Sequence, residues 1–242
     1  MYHSLNVQQL IINKRFAQQN LFEPIYLKQT IKGNNFHRYF CPPNSEDLIL
    51  YITSNFNEEE GTNIYKYLLE SKDKLIQKSS EKNKNKWPWY QLFRGRKEKI
   101  FTCPKIIIRQ TADRIIAAID ESVGYYCIDS IICAPFKKEF LQEDMYFVLG
   151  LLNSKVINFF YRQISQEKGR VLPQVKIERL KRLPLKEGTD LQKAVIIEKV
   201  NQIIKNNNSK EVREKLIIDI DNEIYKIYEL DEETISLIES SF

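Results

Sequence analysis

The sequence predicts an α+β fold: a mixed sheet-and-helix body over residues 1–188, followed by amphipathic C-terminal helices over residues 189–242. Three observations carry this expectation. Short strand-like runs crowd together as KIIIR (105–109), RIIAAI (114–119), YYCID (125–129) and IIC (131–133), separated by turn-forming residues. Directly after them, EDMYFVLGLLNSKVINFFYRQI (143–164) is apolar on most sides, as a largely buried helix would be. Finally, DLQKAVIIEKVNQIIKNN sets Ile196, Val200 and Ile203 on one stripe, and EVREKLIIDIDNEIYKIYEL sets Leu216, Ile220, Ile224 and Ile227 on another. The turn Asn206-Asn207-Asn208-Ser209 between them makes a helical hairpin.

The remaining elements follow in order. SLNVQQLIINKRF has helical spacing at Leu5, Leu10 and Ile12. PIYLKQTIKGNNFHRYF is extended and broken at the turn formers Gly33-Asn34-Asn35. LILYI (48–52) is a buried strand, and residues 58–78 form one helix with acids at its start and Ile64, Tyr67, Leu68 and Leu75 near one face. Gly150 and Asn153-Ser154 are the places where the long apolar helix would bend. DEETISLIESS opens with acids, which suits a last helix.

Composition narrows the function classes. With 43% hydrophobic residues and only 7 glycines and 8 prolines, the chain has the makings of a folded core. No apolar run approaches a membrane span and MYHSLNVQQL lacks the basic-then-apolar order of a leader, so a soluble, cytoplasmic protein is expected. Cys41, Cys103, Cys127 and Cys133 show neither a C-x-x-C pair nor a histidine at zinc spacing, which points to small core thiols in a reducing compartment. Charge is divided unevenly. Residues 211–242 set Arg213, Lys215 and Lys226 against ten carboxylates, a net −7; with +5 overall, the first 210 residues carry +12. Such a division suits a body that meets an acidic partner and a tail that does not.

Catalytic patterns are absent from the sequence. His3 and His37 are the only imidazoles and have no recognisable nucleophile or acid partner; GxGxxG and GxxxxGK[ST] are missing. A magnesium nuclease could be sought in Asp47 with Glu70-Ser71-Lys72, but two residues apart on one helix Glu70 and Lys72 diverge. Binding patterns are present. WPWYQLFRGRKEKIFTCPKIIIRQ (87–110) interleaves aromatics with Arg94, Arg96, Lys97, Lys105 and Arg109, side chains that suit phosphate and guanine contacts beside rings that can stack. A second cluster is the loop Lys32, Asn34, Asn35, Arg38 and Tyr39, where asparagine can pair with adenine. Lys168 and Arg170 flank Gly169 in a third. Any one of these aromatics could equally be core, and basic loops could be a plain solvated face.

The ordered series IKGNNFHRYF, IYKYLLESKDKL, WPWYQL, KEKIFTCPKIIIRQ, YYCIDS, YFVLGLLNSKVINFFYR, IERLKRLPL and IDNEIYKIYELDEETISLIE resembles the TaqI-like C-terminal specificity domain. That is the target-recognition domain of adenine-N6 DNA methyltransferases and of type IIG restriction–modification enzymes, and its later part is similar to type I specificity subunits. The resemblance runs from about residue 24 to 240. Lys32, Gly33, Arg38 and Tyr39 match one segment, Trp89, Phe101, Pro104 and Lys105 a second, and Asn153-Ser154-Lys155 a third. It implies sequence-specific double-stranded DNA recognition without catalysis in this chain. A methyltransferase or nuclease domain or subunit would be the protein partner, and S-adenosylmethionine and magnesium would belong there. The expected division of labour gives Trp87, Trp89, Phe101 and Ile107 to packing, and Arg94, Arg96, Lys97 and Arg109 to DNA. The alternative is a protein-interaction module whose hairpin, residues 190–228, docks a catalytic or motor subunit.

Overall fold

The computed structural model describes residues 10–77, 88–91, 98–121, 123–127, 130–136, 141–165, 171–205 and 209–242. The fold is mixed α+β, with two small antiparallel three-stranded sheets among the described residues. The chain divides into two compact units, one of residues 1–31, 43–102 and 123–129, the other of residues 32–42, 103–122 and 130–242. This division does not coincide with the expected boundary between 188 and 189. The C-terminal helices share a core with the second sheet, for the reasons given below.

In the first unit, β1 (Ile11–Asn13) leads into α1 (Lys14–Gln19), and β2 (Leu27–Gln29) and β3 (Asp47–Leu50) complete a sheet ordered β1-β3-β2. The helix expected around residues 4–16 is therefore corrected over its described part. Ile11 and Ile12 pair with Ile49 and Leu48, where β-branched side chains fit the pleat, and the helix starts only after Asn13, whose side chain accepts from the Arg15 amide. The single helix expected over 58–78 is two: α2 (Thr62–Glu70) and α3 (Lys72–Gln77), parted at Ser71, with α4 (Lys99–Thr102) following. Glu23 caps α2 from outside, its carboxylate accepting from the amides of Asn63 (2.8 Å) and Ile64 (3.2 Å). YYCID is not a strand in its described part, residues 125–127. Tyr126 instead donates its amide to Gln29 and accepts the Thr30 hydroxyl at 2.7 Å.

The second unit holds β4 (Lys105–Arg109), β5 (Ala117–Asp120) and β6 (Ile131–Pro135), ordered β5-β4-β6. β4 is central, paired along both edges, and residues 105–108 are all buried, so both of its faces are covered and KIIIR reads as a continuous apolar run. The long apolar helix is α5 (Gln142–Asn153) and α6 (Lys155–Ser165), broken at Ser154, whose backbone is extended. Ser154 then serves the new helix, its hydroxyl accepting the Ile157 amide at 3.2 Å. Gly150 does not bend α5. It lets α8 approach: a Cβ there would lie 2.7 Å from a methyl of Ile196.

After the short α7 (Ile177–Leu180) come α8 (Asp190–Lys205), α9 (Lys210–Ile227), capped by Ser209, and α10 (Glu232–Glu239), capped by Asp231. The hairpin stripes lie in one hydrophobic cluster with Ile106, Ile108 and Leu149: Ile196, Val200, Ile203, Ile220, Ile224 and Ile227 are all buried there. Burying them next to β4 and α5 is what makes residues 190–242 part of this unit and not an appendage. Among the described residues no helix is long and apolar enough to cross a membrane.

Candidate nucleic-acid interface

The lysine–glycine loop begins in the second unit with a 3-10 turn at Gly33–Asn35. Gly33 is buried because the turn sits directly on its neighbours; a Cβ would lie 3.1 Å from the Ser130 carbonyl and 3.4 Å from the Arg109 side chain. This close seating leaves Asn34 and Asn35 exposed at the tip and Lys32 half-buried at its start. Among the described residues neither side-chain amide has a hydrogen-bond partner.

Arg109 holds the same turn from β4. Its guanidinium donates to the Phe36 carbonyl at 2.5 Å and lies 5.7 Å over the Phe36 ring. Partial burial lowers its pKa, since the charged form is the one that loses hydration. Arg109 is half-buried, and one side of its fork is committed to the loop.

Two predicted contacts are corrected. Lys105 is wholly buried, and its ammonium lies 2.5 Å from the equally buried Asp120 carboxylate. The two are register partners on β4 and β5. A charge in that position is held by its counter-ion, not presented to DNA. Beside the pair, burial and then the Asp120 carboxylate push the Cys41 thiol up to about 12. Tyr39 is also core, at 1% exposure, with φ +70°. Its amide donates to the Ala117 carbonyl at 2.8 Å, while burial and the nearby Asp221 carboxylate raise its phenol well above the usual range. It turns the loop back onto β5.

That turn places Arg38 at the edge of a concavity of about 350 Å³, lined also by Arg114, Lys155, Asn153, Asn158 and Glu239. Arg38 is half-buried and reaches the Asn153 carbonyl only at 3.5 Å, the limit of a hydrogen bond. The floor is built by asparagines. Asn153 bonds the Ala117 amide and carbonyl, and Asn158 accepts the Ile115 amide at 2.7 Å. Together they hold the chain entering β5, which explains why RIIAAI becomes a strand only from Ala117. Asp221 of α9 accepts the Lys155 amide at 2.9 Å, and burial pushes its carboxyl up to about 6. The Lys155 ammonium pairs with Glu239, which also accepts the Tyr225 hydroxyl at 2.5 Å.

In the first unit the aromatic part of WPWYQL forms a half-exposed cluster. Tyr90 meets Phe56, Tyr65 and Trp89 edge-on at centroid distances of 5.3 to 5.7 Å. Lys72 lies 5.5 Å over Trp89, and the Tyr90 hydroxyl donates to Glu58 at 2.9 Å. Phe101 is buried and stacked on Tyr126. Glu98 takes the Tyr126 hydroxyl and lies 3.5 Å from Lys28; the hydrogen bond from Tyr126 is the main influence that lowers its pKa. Of the residues expected to pack, Phe101 and Ile107 are buried and Trp89 is half-buried. Trp87, Arg94, Arg96, Lys97, Lys168 and Arg170 lie outside the described residues.

Within the second unit the structure therefore groups Lys32, Asn34, Asn35 and Arg109 at one turn, and Arg38 with Arg114 and Lys155 at one concavity. Arg114 was not singled out by the sequence, because an arginine opening an apolar run carries no signal of its own. The LNSK segment did carry one, through Asn153 and Lys155, but its asparagine is structural.

No curated protein matches the chain. A family model, the TaqI-like C-terminal specificity domain, matches residues 57–185. The match takes in Tyr65, Trp89 and Tyr90 of the aromatic cluster, the second sheet, the LNSK helix break and Arg114; the lysine–glycine loop and the last three helices lie outside it. Covering more than half of the 242 residues, it shows that the chain belongs to the TaqI-like C-terminal specificity domain family, whose members serve DNA specificity in restriction–modification enzymes.

Proposed function

We propose that this chain recognises a specific double-stranded DNA sequence in the cytoplasm on behalf of an adenine-N6 methyltransferase or a type IIG restriction–modification enzyme. The family match over residues 57–185 carries the reading. The chemistry belongs to a methyltransferase or nuclease domain or subunit, together with any S-adenosylmethionine and magnesium. Lysines and arginines, among them Lys32, Arg38, Lys97, Lys168 and Arg170, set register through phosphates, while Asn34, Asn35, Arg94, Arg96 and Arg109 contact base edges. The +12 charge of the first 210 residues supports the same reading, since phosphate neutralisation dominates affinity.

The test is fluorescence anisotropy with a pool of random-centre duplexes at low and physiological salt, followed by sequencing of the bound fraction. A steep salt dependence with an enriched short motif is the expected result. Arg94→Ala or Arg96→Ala then costs roughly 1–3 kcal/mol if that side chain reads a guanine. Affinity indifferent to salt and to both substitutions would sink the reading.

Docking of a partner protein through the hairpin remains the second reading, on altered ground. Its apolar stripes are buried within its own unit, so a partner would meet the opposite faces, where Leu191, Val212 and Ile218 are exposed among acidic residues.

A further inference from the structure

We propose that the concavity between Arg38, Arg114 and Lys155 is a seat for one backbone phosphate of duplex DNA, with Arg114 as its principal ligand. The inference rests on the DNA-recognition reading and adds to it a site and a residue.

Arg114 is half-buried, lines the concavity and has no hydrogen-bond or ion-pair partner among the described residues. A guanidinium without a protein partner keeps its donors available, and an anion in front of it supplies a bidentate acceptor. Arg38 is nearly as free, with one contact at 3.5 Å to a neutral carbonyl. Two arginines lining one concavity suit the several oxygens of a phosphodiester better than a single carboxylate. The volume of about 350 Å³ holds a phosphate and part of its sugar.

The helix start beneath contributes little. The Lys155 amide is taken by Asp221 and the Ile157 amide by Ser154, so side-chain cations must make the seat. Glu239 is the one acidic side chain of the lining, and it is engaged by Lys155 and the Tyr225 hydroxyl. Among the side chains of the lining, three cations stand against one acid. The floor is rigid, because Asn153 and Asn158 tie it to β5 and to the break between α5 and α6. A rigid, base-blind contact of this kind fixes register and carries no sequence information.

The experiment compares the full chain with Arg114→Gln in the duplex-binding assay, across a salt series, with at least two unrelated duplexes. Thermal melting checks the fold, which should hold because Arg114 has no partner to lose. The seat requires roughly tenfold weaker binding on every duplex and a log–log salt slope shallower by about 0.9. If the wild type binds and Arg114→Gln binds identically with the same slope, the seat is wrong and the DNA reading survives. If the wild type shows no salt-dependent binding, both fail together. Inorganic phosphate at constant ionic strength tests a free anion as occupant. A melting shift in the wild type that Arg114→Gln lacks, with duplex binding equal in both, assigns the concavity to a small anion and overturns the proposal.

Discussion

Asn153 holds Ala117 by both ends of its amide: the Ala117 amide donates to Oδ1 at 3.0 Å, and Nδ2 donates back to the Ala117 carbonyl at 3.0 Å. A side chain at the end of α5 thus stands where a neighbouring strand would, at the first residue of β5. The same Nδ2 reaches the Leu149 carbonyl at 3.1 Å, so the clamp is anchored in its own helix. Asn153→Ala leaves the buried Ala117 amide without this acceptor, while the Ala117 carbonyl keeps the Tyr39 amide as donor, so the loss is about 1–3 kcal/mol. Urea unfolding should show a midpoint well below wild type. Asn153→Asp should fall short of rescue, because a carboxylate cannot donate to Ala117 or Leu149.

The Lys105–Asp120 pair gives a second prediction. Lys105→Met leaves Asp120 as a buried charge without its counter-ion, a loss of about 3–5 kcal/mol. Lys105→Met with Asp120→Leu removes both charges and should recover most of it. In that double variant the salt slope of duplex binding should equal the wild type's, because Lys105 makes no contact with DNA. A slope reduced by one contact would restore Lys105 to the interface.

These two pairs also mark how far the sequence could be read. β4 and the hairpin helices were legible because their apolar pattern is local: Ile106, Ile107 and Ile108 adjoin, and the stripes of α8 and α9 repeat every three or four residues. The start of β5 was not, since its partners Asn153 and Asn158 lie 36 and 43 residues away and belong to helices. Lys105 was misassigned for the same reason. A sequence shows a positive charge but not that strand register sets an aspartate against it. Tyr39, expected in the DNA-binding loop, is core, because its backbone is tied to Ala117 of β5 and its ring lies in the cluster there. In the candidate site Arg38 was legible as a loop cation. Lys155 was legible as part of the LNSK segment but Arg114 was not, and only the fold brings segments 38, 114 and 155 together.

Asp221 sets a pH dependence with a definite sign. Burial raises its carboxyl to about 6, against 3.8 for the free side chain; the Lys155 amide and ammonium and Arg38 oppose the shift, and Glu239 adds to it. The folded state therefore keeps a proton that the unfolded chain releases near 4. Its contribution to stability is fullest below about 4 and is lost as pH rises through about 6. Asp221→Asn keeps an acceptor for the Lys155 amide and has no charge to bury. Urea unfolding at pH 4.5 and 7.5 should show the variant gaining on wild type as pH rises. A difference that is constant, or that shrinks with pH, would refute the shift.

Gly150 tests whether the C-terminal helices belong to the recognition body. In an ordinary helix interior Gly→Ala gains about 1 kcal/mol. Here the added Cβ would stand 2.7 Å from Ile196 Cγ2, against a side chain that is itself fully buried. Neither α5 nor α8 can yield without opening the cluster that also holds Val200 and Ile220. Gly150→Ala should therefore destabilise by about 1–3 kcal/mol, reversing the usual sign. Ile196→Ala removes the opposing methyl, so the double variant should lose less than the two single losses added. A stabilising Gly150→Ala would mean that α8 stands off α5 in solution, and the hairpin would then be free to dock elsewhere.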